Sequence, residues 1–344
     1  MSGVVLSADA VKAAARASRF TLVGLAPAAA LDPGPLRAWL DAGYAADMDW
    51  MSRRLPERLD PRVVLDGAQT VIALAVAYHR PAGEQASIAR YARGRDYHYA
   101  HRDGMKALRK RLLALDATLE TYAAVDTGMA MEKVWAERAG LGWIGKNGCL
   151  INPKLGSWLT LSVMFVDRAV DAYDRPHDPR CGDCTLCLGA CPTQAFPSPG
   201  VVDAGRCIAY QSIENRGTVP EALRPAFGGR LFGCDVCQEV CPWNHRPQPE
   251  GDPRFSPRPL AGLTAAEVAS LSREEFDRMT AGMAVARAQY DGLRRNAVYA
   301  LGSAGDRSAR ELLDRLARDD ASEAVRDAAR WALDRLDGDP GRGA

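Results

Sequence analysis

CGDCTLCLGACP, residues 181–192, spaces four cysteines as C-x2-C-x2-C-x3-C-P, and CDVCQEVCP, residues 234–242, nearly repeats it. A 4Fe–4S cube takes one thiolate per iron. Three closely spaced cysteines wrap one cube, and the turn they form sends the fourth to a neighbouring cube. The second motif has only Cys234, Cys237 and Cys241 locally, but Cys207 lies upstream. The spacing therefore groups Cys181, Cys184, Cys187 and Cys241 on one cluster, and Cys191, Cys207, Cys234 and Cys237 on the other. Zinc sites also use paired C-x2-C motifs, but the doubled pattern with trailing Pro192 and Pro242 favours two 4Fe–4S clusters. Cys149, the remaining cysteine, reads as a small buried apolar residue.

Around this core the chain divides by texture. Its 344 residues, 47% apolar, favour two or three domains over one. Residues 1–171 alternate helical and strand patterns. SADAVKAAARASRF (7–20) is an amphipathic helix opened by Ser7, and VIALAVAYH (71–79) and SWLTLSVMFV (157–166) are apolar runs fit for buried strands. An α/β domain is expected there. Residues 172–254 are rich in Cys, Pro and Gly with little apolar periodicity, so metal must hold what a hydrophobic core does not. This is expected to be a ferredoxin-like domain. The Pro-rich RPQPEGDPRFSPRPL (246–260) reads as a linker.

From 255 to 344 helical signals return. Thr264 with Glu267 and Ser272 with Glu275 form capping-box pairs. LRRNAVYAL (293–301) recurs as VRDAARWAL (325–333) at an offset of 32 residues, with SARELLDRLARD between them. Such a helix pair has the length of a HEAT-type repeat. An ordinary helical bundle with Tyr299 and Trp331 as core is the competing reading. The expected fold class is α+β multidomain.

A net charge of +1 gives no general attraction to polyanions. Locally, residues 90–111 hold eight Lys/Arg against Asp96 and Asp103. The start has no signal-peptide pattern and no apolar run reaches spanning length, so a soluble cytoplasmic protein is expected. In a reducing compartment the cysteines serve metal rather than disulfides. No G-x-G-x-x-G opens a βαβ unit, so a nicotinamide cofactor is not indicated. Two clusters relay electrons, and the chain needs an acceptor for them.

VDTGMAMEKVWAERAGLGWIGKNGCLINPKLGSW (125–158), YARGRDYH (91–98) and RLDPRVVL (58–65), taken with the cysteine pattern, closely resemble the epoxyqueuosine reductase family over nearly the whole chain. The resemblance implies a cobalamin in the N-terminal domain, fed by two 4Fe–4S clusters. It also implies reduction of the epoxide of epoxyqueuosine, in a tRNA anticodon, to queuosine. It places the proton donor at Asp126. Cobalamin contacts are expected at Asp126 and from Gly142, Lys146, Lys154 and Ser157, with Arg53, Ser212 and Asp235 carried over from corresponding segments. No D-x-H-x-x-G stretch is present, so no lower ligand from protein is expected.

Opening an epoxide needs electrons at carbon and a proton at oxygen. Burial of Asp126 at a strand end would raise its pKa and keep it protonated. The plain alternative is an Asp that caps the following helix. For the tRNA, residues 90–111 and YQSIENRG (210–217) are candidate contacts, with Tyr97 or His98 meeting an unstacked base. From Val285 onward eleven Arg balance eleven Asp/Glu, so bulk charge there does not argue for RNA. An external low-potential donor and a monomer complete the expectation. Two other readings are a cobalamin-dependent reductive dehalogenase and a ferredoxin-like electron carrier; the absent twin-arginine signal weighs against the first, and the long α/β domain against the second.

Overall fold

Strand β2 (Thr70–Ala77) is the centre of the first domain because every one of its residues is buried. The computed structural model describes residues 5–80, 87–246 and 250–338. Besides β2 these contain β1 (Leu22–Pro27), β3 (Thr121–Ala124), β4 (Trp143–Ile144), β5 (Leu150–Ile151) and β6 (Leu159–Val166). The main sheet runs β1-β2-β6-β3 with every neighbouring pair antiparallel. The domain read as α/β is thus built on an antiparallel sheet. A continuous apolar run usually marks a parallel strand covered on both faces, and here helices cover both faces of an antiparallel one. Ile72, Leu74 and Val76 pack with Val11, Ala15, Leu108 and Leu112 of helices Ala8–Ala17 and Tyr97–Leu113. Val71, Ala73 and Ala75 pack on the other face with Trp135 and Ala136 of helix Glu132–Arg138.

Asp96 caps helix Tyr97–Leu113 by accepting from the His98 amide at 2.9 Å. One turn on, His101 is buried between Ser162 Oγ (2.7 Å) and Thr160 Oγ1 (2.9 Å). Burial pushes its imidazole down to about 3, so it is a neutral core residue that ties the helix to β6.

The stretch read as a linker is no linker where it is described; residues 247–249 lie outside the described residues. Gly251 N–H donates to the His79 carbonyl at 2.8 Å and Asp252 N–H to that of Ala77 at 2.9 Å. Phe255 is fully buried in the first domain's core, its ring 6.0 Å from that of Tyr78. A Cβ on Gly94 would lie 2.6 Å from Phe255 Cα, so only glycine admits this crossing.

Beyond it, both capping boxes form, on helices Ala265–Ser270 and Arg273–Thr280. The repeated segments fall on helices Gln289–Ala304 and Glu323–Gly338, with Arg310–Asp319 between them. The two copies face each other, with Tyr299 and Trp331 edge to face at 5.6 Å. Their core also takes in Ile88 and Ala92 of the first domain and Phe227 and Phe232 of the cysteine segment. Fully buried Arg295 donates to the carbonyls of Gln211 (2.7 Å), Asn215 (3.0 Å) and Gly217. Asn296 donates to those of Ser212 and Leu231, both at 2.8 Å. These side chains bolt the helical part onto the cysteine segment by satisfying carbonyls that would otherwise be buried unpaired. Among the described residues no helix is long and apolar enough to cross a membrane.

Phe255→Ala should cost about 3 kcal/mol, the scale for a large core side chain. Denaturant unfolding of the intact chain measures it, and a freely exposed linker residue would show no loss.

Candidate active site and metal centres

β3 ends at the sheet edge, and the chain turns at once. The Thr127 amide donates to the Val125 carbonyl at 2.6 Å, which leaves Asp126 at φ +55°. Asp tolerates this left-handed conformation better than most residues. Gly128 completes the turn because a Cβ there would overlap that of Ala124. Asp126 does not cap the next helix, which starts at Glu132 behind Met131 with no side-chain cap bond.

The Asp126 side chain stays 60% exposed, and its Oδ2 lies 3.6 Å from His98 Nε2. The other ring nitrogen of His98, Nδ1, lies 2.8 Å from Asp96 Oδ1. Tyr97 stacks on His98 at 4.3 Å and directs its hydroxyl to Asp126. Burial raises the Asp126 carboxyl, but the adjacent His98 and Tyr97 side chains and the charge of Arg287 outweigh it and hold it below the usual carboxylate range. Burial works against the charge of His98, yet the nearby Asp126 carboxylate and the hydrogen-bonded Asp96 carry it up to about 9, although at 3.6 Å Nε2 makes no hydrogen bond to Asp126. The expectation of a burial-raised, protonated Asp126 is therefore corrected: at neutral pH the proton sits on His98. Glu132, buried and repelled by Asp126, is pushed up to about 7. Its Oε1 has no hydrogen-bond partner among the described residues.

Two further side chains, Arg287 and Trp50, carry no signal in the sequence. Arg287 grips Glu214 through Nε (3.0 Å to each oxygen) and Nη2 (2.7 Å), and lies 5.5 Å over the half-exposed ring of Trp50. A second such arrangement sits on the basic helix, where Arg95 and Arg102 flank the exposed Tyr99 ring at 5.1 and 4.8 Å. Of the eight basic residues of 90–111, Arg90 and Arg93 turn inward: Arg90 lies 4.5 Å over Trp158, and Arg93 donates to the Ile88 carbonyl at 2.7 Å.

The eight motif cysteines fall into two groups. Cys181, Cys184, Cys187 and Cys241 line a cavity of about 50 Å³. Burial raises the Cys187 thiol, and the neighbouring Cys241, Cys181 and Cys184 raise it further. In the second group burial lifts Cys207 to about 11, with Cys234 and Cys191 beside it. Cys237 faces Cys234, Cys207 and also Cys149. The Ala195 amide donates to Cys191 Sγ at 3.3 Å. Cys191 and Cys241 have thus each crossed to the other motif's group. Soft donors gathered in two sets of four suit iron–sulfur cubes that take up thiolates.

The residues expected to meet cobalamin occupy several local settings. Asp235 is buried, accepts from the Arg90 amide at 2.8 Å and is pushed by burial to about 6. It lines a cavity of about 530 Å³ with Ser87, Gly229, Arg230, Gly233 and Cys234. Ser87 Oγ is buried there without a partner among the described residues. Ser212 stands behind that wall, accepting from the Gly233 amide at 2.9 Å. Ser157 Oγ instead joins Gln238 (2.9 Å) and Asn244 (2.8 Å) in a buried polar network. Lys146 Nζ donates to the Gly182 carbonyl at 2.6 Å and lines the smaller cysteine cavity. Gly142 is needed for packing, since a Cβ would overlap the Ile151 carbonyl. Arg53 and Lys154 are exposed.

Residues 180–244 match the family model of a 4Fe-4S double cluster binding domain, and residues 58–127 match that of epoxyqueuosine reductase QueG. The epoxyqueuosine reductase of Gloeobacter violaceus is 45% identical over 313 residues, covering 87% of this chain and 97% of the relative. That of Pseudomonas aeruginosa is 41% identical, covering 87% and 86%. A crystal structure of an epoxyqueuosine reductase with an epoxyqueuosine-modified tRNA-Tyr stem loop superposes with a TM-score of 0.89 at 29% identity, covering 96% of this chain and 90% of that one. The Bacillus subtilis enzyme, with an aspartate-bearing catalytic loop swung out of its active site, superposes at 0.88 and 28% identity over 95% and 90%.

If the crossing sets the ligands, Cys191→Ala and Cys207→Ala should damage one cluster and Cys184→Ala the other. Iron analysis with electron paramagnetic resonance reads this directly. A signal shared by the Cys191 and Cys184 variants but spared by Cys207→Ala would reject the assignment.

Proposed function

The chain belongs to the epoxyqueuosine reductase family, and we propose that it reduces the epoxide of epoxyqueuosine in a tRNA anticodon with Asp126 and His98 as the proton-delivering pair. It is an oxidoreductase with a 4Fe–4S double-cluster segment. The observation that carries the proposal is the Asp126–His98 pair at the end of β3, with Asp126 Oδ2 3.6 Å from His98 Nε2 and Tyr97 stacked on His98 at 4.3 Å.

Cysteines 181, 184, 187 and 241 would hold one cluster, and 191, 207, 234 and 237 the other. An external low-potential donor reduces them, and we place the enzyme in the cytoplasm as a monomer. We propose cobalamin as the electron acceptor from membership of the family; the 530 Å³ cavity against Cys234 offers glycine backbone, Arg230 and the unpartnered Ser87 hydroxyl, but Leu263, Ala300 and Leu301 also line it and Asp126 and His98 do not. When bound, cobalamin would supply low-valent metal chemistry as the source of electrons for the epoxide carbon. The protein's own residues supply the rest. Asp126, the exposed member of the pair, faces the substrate and protonates the departing oxygen. His98, charged at neutral pH, refills it. Substrate covering the site expels water from Asp126, which favours moving the proton onto the carboxylate. We assign residues 1–171 to the catalytic domain, 172–254 to the cluster domain and 255–344 to a HEAT-like repeat domain, with Phe255 reaching back into the first.

Asp126→Asn keeps the shape but cannot donate a carboxylic proton. Turnover should fall by roughly 100-fold or more, with cluster spectra and tRNA affinity near normal. Unchanged turnover in a folded variant would remove Asp126 from the chemistry. The pair also fixes a pH limb. His98 is protonated below its value of about 9, so activity should decline as pH rises through about 9. His98→Gln should lose that alkaline limb in a kcat/KM profile.

The RNA face is read from rings and guanidinium groups together. Trp50 under Arg287 and Tyr99 between Arg95 and Arg102 offer stacking surfaces for unstacked anticodon bases. Arg109, Lys110 and Arg111 are exposed at the far end of the helix, roughly 20 Å from His98 at ~1.5 Å per residue. Trp50→Ala should therefore raise KM for the modified stem-loop about tenfold or more, the scale of one lost stacking contact. Replacing Arg109, Lys110 and Arg111 together should weaken binding in a salt-dependent way and leave kcat intact. Stem-loop affinity across a salt series separates the two.

A further inference from the structure

The two cysteine groups differ in how far they reach the surface. Of the eight motif cysteines only Cys184 is exposed, and it belongs to the first group. Two positions on, Leu186 opens the short helix Leu186–Ala190 with its side chain 55% exposed. A lone exposed leucine is ordinary, but this one shares the rim of the 50 Å³ cavity with Cys184, Lys146 and Arg180, and no acid lines that cavity. Lys146 Nζ is fixed on the Gly182 carbonyl at 2.6 Å, and the Arg180 guanidinium lies 6.0 Å from the ring centre of buried Trp143. Trp243 completes the wall and carries Arg246 on its face at 4.1 Å. Among the described residues none of these three basic side chains pairs with a carboxylate; they rest on carbonyls and rings instead. Asp178 and Asp183 flank Arg180 along the chain, both exposed, and neither lines the cavity. The exposed sulfur thus has an apolar contact point beside it and unpaired positive charge around it.

We infer that this surface is where the protein takes in electrons, from an acidic one-electron carrier protein that seats on Leu186 and is steered by Lys146, Arg180 and Arg246. The inference rests on the two-cluster reading above and adds to it the face and the charge of the donor. The step itself is simple: the carrier's reduced centre loses one electron, the cluster held by Cys184 gains it, and no bond or proton moves. Redox partners meet through small, short-lived interfaces, so a few apolar atoms inside a charged rim are enough to seat one. Opposite charge speeds the encounter and turns the right faces together, and salt weakens both effects. A second copy of this chain fits the surface poorly, because it would bring the same positive charge to it. The other cysteine group has no exposed member, so it stands further along the relay.

The test is anaerobic stopped-flow reduction of the cluster-loaded full chain by a reduced plant-type 2Fe–2S ferredoxin, an acidic one-electron carrier, with dithionite as a small reductant that needs no docking. The second-order rate with ferredoxin should fall about tenfold or more between ~0.02 M and ~0.5 M salt, a measurement that needs no variant. Leu186→Glu and the double variant Arg180→Glu with Arg246→Glu should each lower the low-salt rate about tenfold or more, and Asp183→Asn should raise it. Dithionite should still reduce each variant fully, and both paramagnetic resonance signals should persist. A wild-type rate that ignores or rises with salt would overturn the inference, as would unchanged ferredoxin rates in variants with both signals intact. So would a dimer of the wild-type chain that Leu186→Glu dissociates, since the surface would then belong to a second copy. A wild-type protein without two cluster signals would instead reject the two-cluster reading itself.

Discussion

The exchange of one cysteine between the two motifs governs how the rest of the molecule is arranged. Because Cys191 joins Cys207, Cys234 and Cys237, while Cys241 joins Cys181, Cys184 and Cys187, neither motif can complete its set alone. The segment between them must fold back on itself, although its own apolar core around the smaller group amounts to Trp143, Ile151 and Cys241, with Cys181 and Trp243 packed on them. Two of those residues belong to the β4–β5 hairpin of the first domain. Metal and a borrowed hairpin do there what a larger hydrophobic core would do elsewhere. On its other side the segment is held by the helical part, through Phe227 and Phe232 in a shared core and through the carbonyl contacts of Arg295 and Asn296. Burying the Arg295 charge is costly, and burial pushes its guanidinium down to about 10. The cost is offset by three carbonyls that need a donor where water has no access.

What could be read from the sequence follows from how local each signal is. Cysteine spacing is local, and so are the apolar runs of β2 and β6 and the two capping boxes; each appears where its residues predict it. Strand direction is not local. A strand covered on both faces reads as a continuous apolar run whichever way its neighbours point, so VIALAVAYH carried no mark of an antiparallel sheet. The Pro-rich stretch misled for a related reason: its prolines advertise irregular backbone, whereas Phe255 fills a hole in a core formed by residues far upstream. Counting charges along residues 90–111 likewise missed that Arg90 has a tryptophan face to cover and Arg93 a carbonyl to satisfy. In the candidate site, Asp126 was legible through a resemblance. Trp50 and Arg287 were not, because more than 200 residues separate them and only the fold stacks one on the other.

The electrostatics of the site divide labour between its acids. Asp126 and Glu132 lie six positions apart and yet are driven in opposite directions. His98 and Tyr97 reach Asp126 and hold it ionised, whereas Glu132 is buried, faces the Asp126 charge and remains partly protonated near neutrality. Two ionised carboxylates this close would repel, so the charged Asp126 helps to keep Glu132 neutral.

The surroundings of the acid depend on two phenols. Tyr91 and Tyr97 are pushed far above the ordinary tyrosine value, by burial first and by Asp126 next. Their rings meet edge to face at 5.8 Å, and Tyr91 also packs against Phe232 at 6.2 Å and Tyr78 at 6.4 Å. Neutral rings in this packing surround Asp126 and His98 with apolar material, which strengthens the interactions those two groups make with each other and with Asp96, whereas a charged side chain in the same place would shift both of them.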